Sequence, residues 1–191
     1  MFMLWAIPIG ISIGLLVDGR LSSLSTFRFR WGWLAVAGLL VQVVLFTETG
    51  DRLAGPWGEA IYVASTLAVF LAVLRNIRVP GMALVALGAL SNLAAIGANG
   101  GAMPADPAAL AAAGLDGPGR HTNSVVLADP ALRLLTDIFA IPAWLPFANV
   151  FSVGDVLIGV GIVIVIVAAM RRPLPGGAPP EPAEPAVTNE A

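Results

Sequence analysis

Apolar residues in this chain gather into five runs, Phe2–Val17, Trp31–Thr47, Glu59–Leu74, Met82–Ala98 and Val150–Met170, broken by short polar, glycine- or proline-bearing stretches. A bilayer core of ~30 Å needs about 20 apolar residues per helix, with ~17 as the lower limit. The first, third and fourth runs sit at or just under that limit, so some of their ends fall in the headgroup region. The pattern predicts an all-α integral membrane protein of five transmembrane helices, with one long extracytoplasmic loop, 99–149, before the last. Within that loop the Ala-rich Pro107–Gly114 predicts a short surface helix. Ala131–Phe139 has apolar residues at helical spacing and predicts an amphipathic helix on the outer leaflet. The proline-bent Ile141–Phe147 then dips into the interface with Trp144 as anchor, and Leu21–Arg30 lies in the opposite interface beside Trp31 and Trp33. Residues 1–172 read as a single membrane domain. Pro173–Ala191, dense in Pro, Ala and Glu, reads as a disordered tail.

Composition sharpens the class. Hydrophobic residues make up 58% and charged residues 12%, with a mean hydropathy of +0.87, against roughly 25% charged in soluble domains. Every basic residue is arginine. Arg20, Arg28, Arg30, Arg75, Arg78, Arg171 and Arg172 fall on one side of a five-span alternation, and Arg52, Arg120 and Arg133 on the other. The positive-inside rule makes the seven-arginine side cytoplasmic, the N-terminus external and the tail cytoplasmic. The first run lacks a basic n-region and a small-x-small cleavage site, so it reads as a retained span. With no cysteine and one histidine, thiolate chemistry and histidine-rich metal cages are excluded; no metal or cofactor is expected. Membrane lipids are the expected partners, and nucleic acid is not.

Chemistry concentrates on the external side. Asp155 lies in the first turns of an otherwise apolar helix, where a carboxylate is costly and marks a candidate functional site. N-terminal capping, stabilising by about 1 kcal/mol, accounts for it equally well. Asp137 lies upstream, on the same side, and the two could form an acid/base pair. Asn99-Gly100-Gly101-x-Met103-Pro104 ends the fourth run as a helix C-cap that exposes backbone N–H groups, a candidate carbonyl or anion site. Asn92 lies two turns before Asn99 on the same face, so Asn92, Asn99, Asp137 and Asp155 could converge on one outward site with Ser152. Gln42 and Asn92 also suit hydrogen bonds between helices. The lone His121 is a solvated loop residue or, less simply, a site member.

The chain up to Arg172 resembles a bacterial membrane-protein family of unknown function. Gly19-Arg20-Leu21, Gln42, Asn92, the Asn99–Pro104 element, Leu135-Thr136-Asp137-Ile138 and Ser152-Val153-Gly154-Asp155-Val156-Leu157-Ile158 carry the resemblance. It implies the bacterial cytoplasmic membrane and no particular activity. The C-terminal part is also similar to lipoprotein signal peptidase, an aspartic peptidase of the outer leaflet. Thr136-Asp137-Ile138-Phe139 and Gly154-Asp155-x-x-Ile158-x-x-Gly161 match its two aspartate steps, and Asn99-x-Gly101-Ala102 its Asn-x-Gly-Ala element. Ser152 stands where that family has Asn, and its Gly-Asn-x-x-Asp-Arg element is missing. That similarity implies an aspartate-dyad hydrolase, Asp137 and Asp155, acting on a lipid-anchored or membrane-embedded substrate. The alternative is a non-catalytic binding or assembly protein, or a small transporter, using the same site. A transporter needs polar residues strung across the bilayer, and the inner halves of these runs carry almost none.

Overall fold

The computed structural model describes residues 2–45, 47–115 and 124–173. The chain is mostly helical. Five apolar helices dominate: α1 (Ala6–Leu16), α2 (Gly32–Leu45), α4 (Gly58–Arg75), α5 (Met82–Ala98) and α7 (Val153–Met170). A 3-10 turn, Phe2–Trp5, extends α1, and the short α3 (Glu48–Ala54) with a second 3-10 turn, Gly55–Trp57, links α2 to α4. Among the described residues α7 alone is long and apolar enough to cross a bilayer by length and composition; the other apolar stretches, Met3–Leu16, Gly32–Leu45, Ala60–Arg75 and Met82–Ala98, are shorter.

The helices pack in the order α1–α7–α5–α4–α2. Glycine permits the closest approach. Gly81 and Gly88, one turn pair apart, face Gly161 and Gly154 of the antiparallel α7; a Cβ on Gly161 would lie 2.8 Å from the Gly81 carbonyl, and one on Gly154 2.7 Å from the Gly88 carbonyl. Small residues at such a seam let two backbones approach where side chains would hold them apart. α1 runs parallel to α7, with Gly10 against Ile166 and Gly14 against Met170. α2 is antiparallel to α4, joined by Gln42 Nε2 donating to Thr66 Oγ1 at 3.1 Å, an interhelical bond that the sequence suggested. The five helices therefore alternate in direction, and the seven arginines of the first group share one end of the bundle.

The other end carries a cap built from the long connection. It is not all-helical, contrary to expectation. β1 (Met103–Pro104) pairs in parallel with β2 (Ser124–Val125), and β3 (Phe139–Ile141) pairs antiparallel with β4 (Asn149–Phe151). Phe139 stacks on Phe151 across that hairpin, ring centres 5.4 Å apart. The expected amphipathic helix at 131–139 does not form. Leu132 sits at φ +52°, only Arg133–Leu135 makes a 3-10 turn, and Asp137 is extended. Its N–H donates to the Pro104 carbonyl (2.9 Å), and its own carbonyl accepts from the Asp106 N–H (2.9 Å), so this segment takes its backbone bonds from a remote strand. The last apolar run also starts later as a helix than expected, because Val150 belongs to β4. The expected surface helix at 107–114 does form, as α6 (Pro107–Ala112), with Asp106 as its N-cap and Pro107 in its first turn. At the arginine end the Leu21–Thr26 stretch is a 3-10 helix. The tail beyond 173 lies outside the described residues.

Three apolar clusters tie this together. Val73, Met82, Val85, Ala86 and Val165 pack near the arginine end. Ala105, Ala109, Leu110, Ala113 and Val150 form the heart of the cap. Ala95, Ile96 and Met103, with Tyr62 and Leu135 against them, join cap to bundle.

Candidate functional site

The α5–α7 seam ends in a closed polar ring. Ser152 is the N-cap of α7 and completely buried, and Asp155 is its third residue. The Ser152 hydroxyl accepts from the Asp155 N–H (3.1 Å), and the Ser152 N–H donates to Asp155 Oδ2 (3.0 Å), a reciprocal capping box. Asn92 reaches across from α5. Its Nδ2 donates to Asp155 Oδ1 (2.9 Å), and its Oδ1 accepts from the Ser152 hydroxyl (2.8 Å). Both carboxylate oxygens, the hydroxyl and both amide atoms are thus engaged. Gly154 is what lets Asn92 in, since a Cβ there would collide with Asn92 Oδ1. The Ser-x-Gly-Asp spacing has a physical reading: serine caps, glycine clears the approach, and aspartate closes the box.

Asp137 enters from the cap. It is 7% exposed, and both it and Asp155 lie near the Tyr62 phenol close to the start of α4. Tyr62 thus relates the two aspartates, a residue the sequence did not single out. As a lone tyrosine near the end of an apolar run it reads as an interface anchor, and only the fold of the cap brings Asp137 to it.

The other candidates take separate places. Asn99 is the C-cap of α5, and Gly100 (φ +71°) and Gly101 (φ +89°) turn the chain, with the Gly101 N–H donating to the Ile96 carbonyl at 2.9 Å. The Asn99 side chain does not join the ring. Its Nδ2 donates to the Ala95 carbonyl (2.7 Å) and the Ala131 carbonyl (2.9 Å), while Oδ1 accepts from the Ala131 N–H (2.8 Å). Of the four residues expected together, Asn92 and Asp155 join in the ring with Ser152, Asp137 lies near Tyr62, and Asn99 is bonded to the backbone of Ala95 and Ala131. Met103 and Pro104 are buried structural members of the cap, whereas Gly100 is exposed. His121 lies outside the described residues.

Two concavities open on the cap, about 640 Å³ and about 270 Å³, and both are lined by Asp106, Arg133 and Ile138. Arg133 Nη2 lies 3.2 Å from Asp106 Oδ2. The Asp106 carboxyl is held below the ordinary carboxylate range, first by the Ala108 N–H it accepts and next by the Arg133 hydrogen bond. A carboxyl whose folded value is lowered stabilises above its unfolded value of ~4 and loses that effect as pH falls through the folded value. Amide exchange at Ala108 and Ala109, taken relative to its intrinsic rate at each pH, should therefore quicken as pH falls through that lowered value. Asp106→Ala should make it fast at neutral pH as well; exchange that stays slow in the variant would contradict this role for the cap.

Comparison with known proteins adds a lineage. Residues 26–167 match the model of a family described as "Family of unknown function (DUF5317)", and that span contains Asn92, Asn99, Asp137, Ser152 and Asp155. The chain is also similar to a Thermotoga maritima protein described as uncharacterized, 34% identical over 158 residues, covering 82% of this chain and 85% of that one. No solved structure matches it.

Proposed function

Because the chain belongs to this family of unknown function, we propose its role from geometry: a multi-span protein of the bacterial cytoplasmic membrane whose polar ring fastens an extracytoplasmic binding or assembly cap. The observation that carries this reading is the engagement of Asp155 at the seam. Its two oxygens accept hydrogen bonds from both helices, one from the Ser152 N–H and one from Asn92 Nδ2. Held from both sides, the carboxylate serves as an acceptor that joins α5 to α7.

The membrane part of the reading draws support from the exposed apolar surface. Val36, Leu40, Val43 and Val44 on α2 are all more than half exposed, as are Leu87 and Leu90 on α5. Apolar surface on this scale suits hydrocarbon, not water. α1 with its preceding turn spans ~25 Å and α2 ~21 Å at ordinary rises per residue, so these spans place their ends in the headgroup region. The division of arginines puts the tail in the cytoplasm and the cap outside. Reporter fusions after Arg172 and within 114–119 should report cytoplasmic and external positions respectively. A cytoplasmic signal from the loop fusion would overturn the sidedness of the cap.

The hydrolase reading stays as the second, favoured by one observation: Asp137 and Asp155 both lie near Tyr62. Under it one carboxylate activates water and the other protonates the leaving group of a lipid-anchored substrate. Asp137→Asn in cells would then leave an uncleaved membrane substrate behind, whereas under the binding reading it would not.

A further inference from the structure

We propose that the arginine end of the bundle is a binding surface for anionic phospholipid headgroups. The proposal rests on the membrane-spanning reading and adds the chemistry of the partner. Arg20, Arg28, Arg30, Arg75, Arg78, Arg171 and Arg172 are all exposed. Among the described residues none of the seven makes an ion pair, in contrast to Arg133 on the cap, which is paired with Asp106. Seven like charges gathered on one end repel one another and call for counter-anions.

The fold holds six of them in two groups. Arg20 N–H donates to the Met170 carbonyl (2.8 Å), and the fully buried Ser23 hydroxyl donates to the Arg172 carbonyl (2.9 Å), which brings Arg20, Arg171 and Arg172 together. On the other side Asn76, 4% exposed, clamps the backbone of Arg30: Oδ1 accepts its N–H (2.9 Å), and Nδ2 donates to its carbonyl (2.7 Å). That clamp places Arg30 beside Arg75 and Arg78. Buried polar side chains thus hold the backbone that carries these exposed guanidiniums.

Two guanidiniums lie over aromatic rings, Arg75 over Trp31 at 5.9 Å and Arg172 over Phe27 at 5.4 Å. A ring beside the cation takes up none of the guanidinium N–H donors as a carboxylate would, and those donors fit two oxygens of a phosphate. A free phosphate would satisfy those donors too. The neighbouring surface argues for a lipid: Leu16, four residues before Arg20, is 83% exposed, and Trp33, three after Arg30, is 73% exposed. A phospholipid meets both demands at once, phosphate to the arginines and acyl chain to the leucine and tryptophan. Basic clusters at the cytoplasmic ends of spans attract anionic leaflets for this reason.

The test uses the full chain in nanodiscs of equal phosphatidylglycerol and phosphatidylcholine, with co-purifying lipid counted by native mass spectrometry. Phosphatidylglycerol should be retained at least tenfold over phosphatidylcholine, an enrichment that falls as NaCl is raised, since arginines near the surface each contribute severalfold. R30Q/R75Q/R78Q should reduce the enrichment to about twofold, while Arg133→Gln on the cap should leave it unchanged. If the triple variant does not insert, R171Q/R172Q and the salt titration of the unaltered chain decide. Equal retention of the two lipids, or enrichment indifferent to both salt and neutralisation, overturns the proposal. So does enrichment abolished by millimolar glycerol phosphate, which marks a soluble-anion site, or enrichment seen only after residues 174–191 are removed, which marks the acidic tail as occupant. Failure of the membrane reading itself looks different: the chain would leave carbonate-washed membranes and never enter the discs.

Discussion

Gly154→Val should destabilise the folded protein by about 3–5 kcal/mol, a large share of the ~5–15 kcal/mol typical of a whole domain. Overpacking a close seam costs ~1–3 kcal/mol, and losing a hydrogen bond to a charged group adds ~1.5–3. Both apply here. The first atoms beyond the glycine are Asn92 Oδ1 and the Gly88 carbonyl, the latter 2.7 Å from where a Cβ would sit. A backbone carbonyl cannot swing aside as a flexible side chain can, so α5 and α7 must separate and Asn92 must leave Asp155. Gly97 provides the contrast. Nothing lies within 4 Å of a Cβ built there, so Gly97→Ala should be neutral or gain up to about 1 kcal/mol from helix propensity. Thermal unfolding in mild detergent measures both. Equal midpoints for the two variants would show that the α5–α7 seam is not close-packed in solution.

Asn92→Leu should cost about 3–5 kcal/mol, because it removes a hydrogen bond to a charged group (~1.5–3) and leaves a buried hydroxyl without its acceptor (~1–3). Asp155 Oδ1 loses its only donor across the seam, and the buried Ser152 hydroxyl loses its acceptor. Asp155→Ala removes the charge along with its needs, so it should cost less, about 2–3 kcal/mol for the capping box and one charge-assisted bond. The ranking is the informative part. If Asp155→Ala is silent for stability yet abolishes a cellular activity, the ring is a working site and not a fastening.

Much of this architecture was legible in the sequence, for identifiable reasons. α5 occupies the expected Met82–Ala98 run because its apolar stretch is closed by Asn99-Gly100-Gly101, a stop signal with a local cause. The Asn92 bond between helices was also foreseeable, since an amide inside an apolar run needs a partner on a neighbouring helix. The strands were not legible. β3 and β4 are three residues each, and the apolar spacing of 131–139 fits a helix as well as it fits an extended segment bonded to Pro104. Asn76 was not singled out for a similar reason: besides its local bond to the Ala72 carbonyl, it holds Arg30, far away in sequence. Contacts set by distant segments leave no periodic trace in either partner.

The polar ring as a mechanical joint between α5 and α7 is tested most directly by a double-mutant cycle of Asn92→Ala and Asp155→Ala, read as unfolding free energy in detergent. Two side chains bonded at 2.9 Å and sharing Ser152 should couple by about 1–3 kcal/mol, so that the double variant costs clearly less than the sum of the singles. Additivity within about 0.5 kcal/mol would contradict the joint and leave Asp155 free for other work.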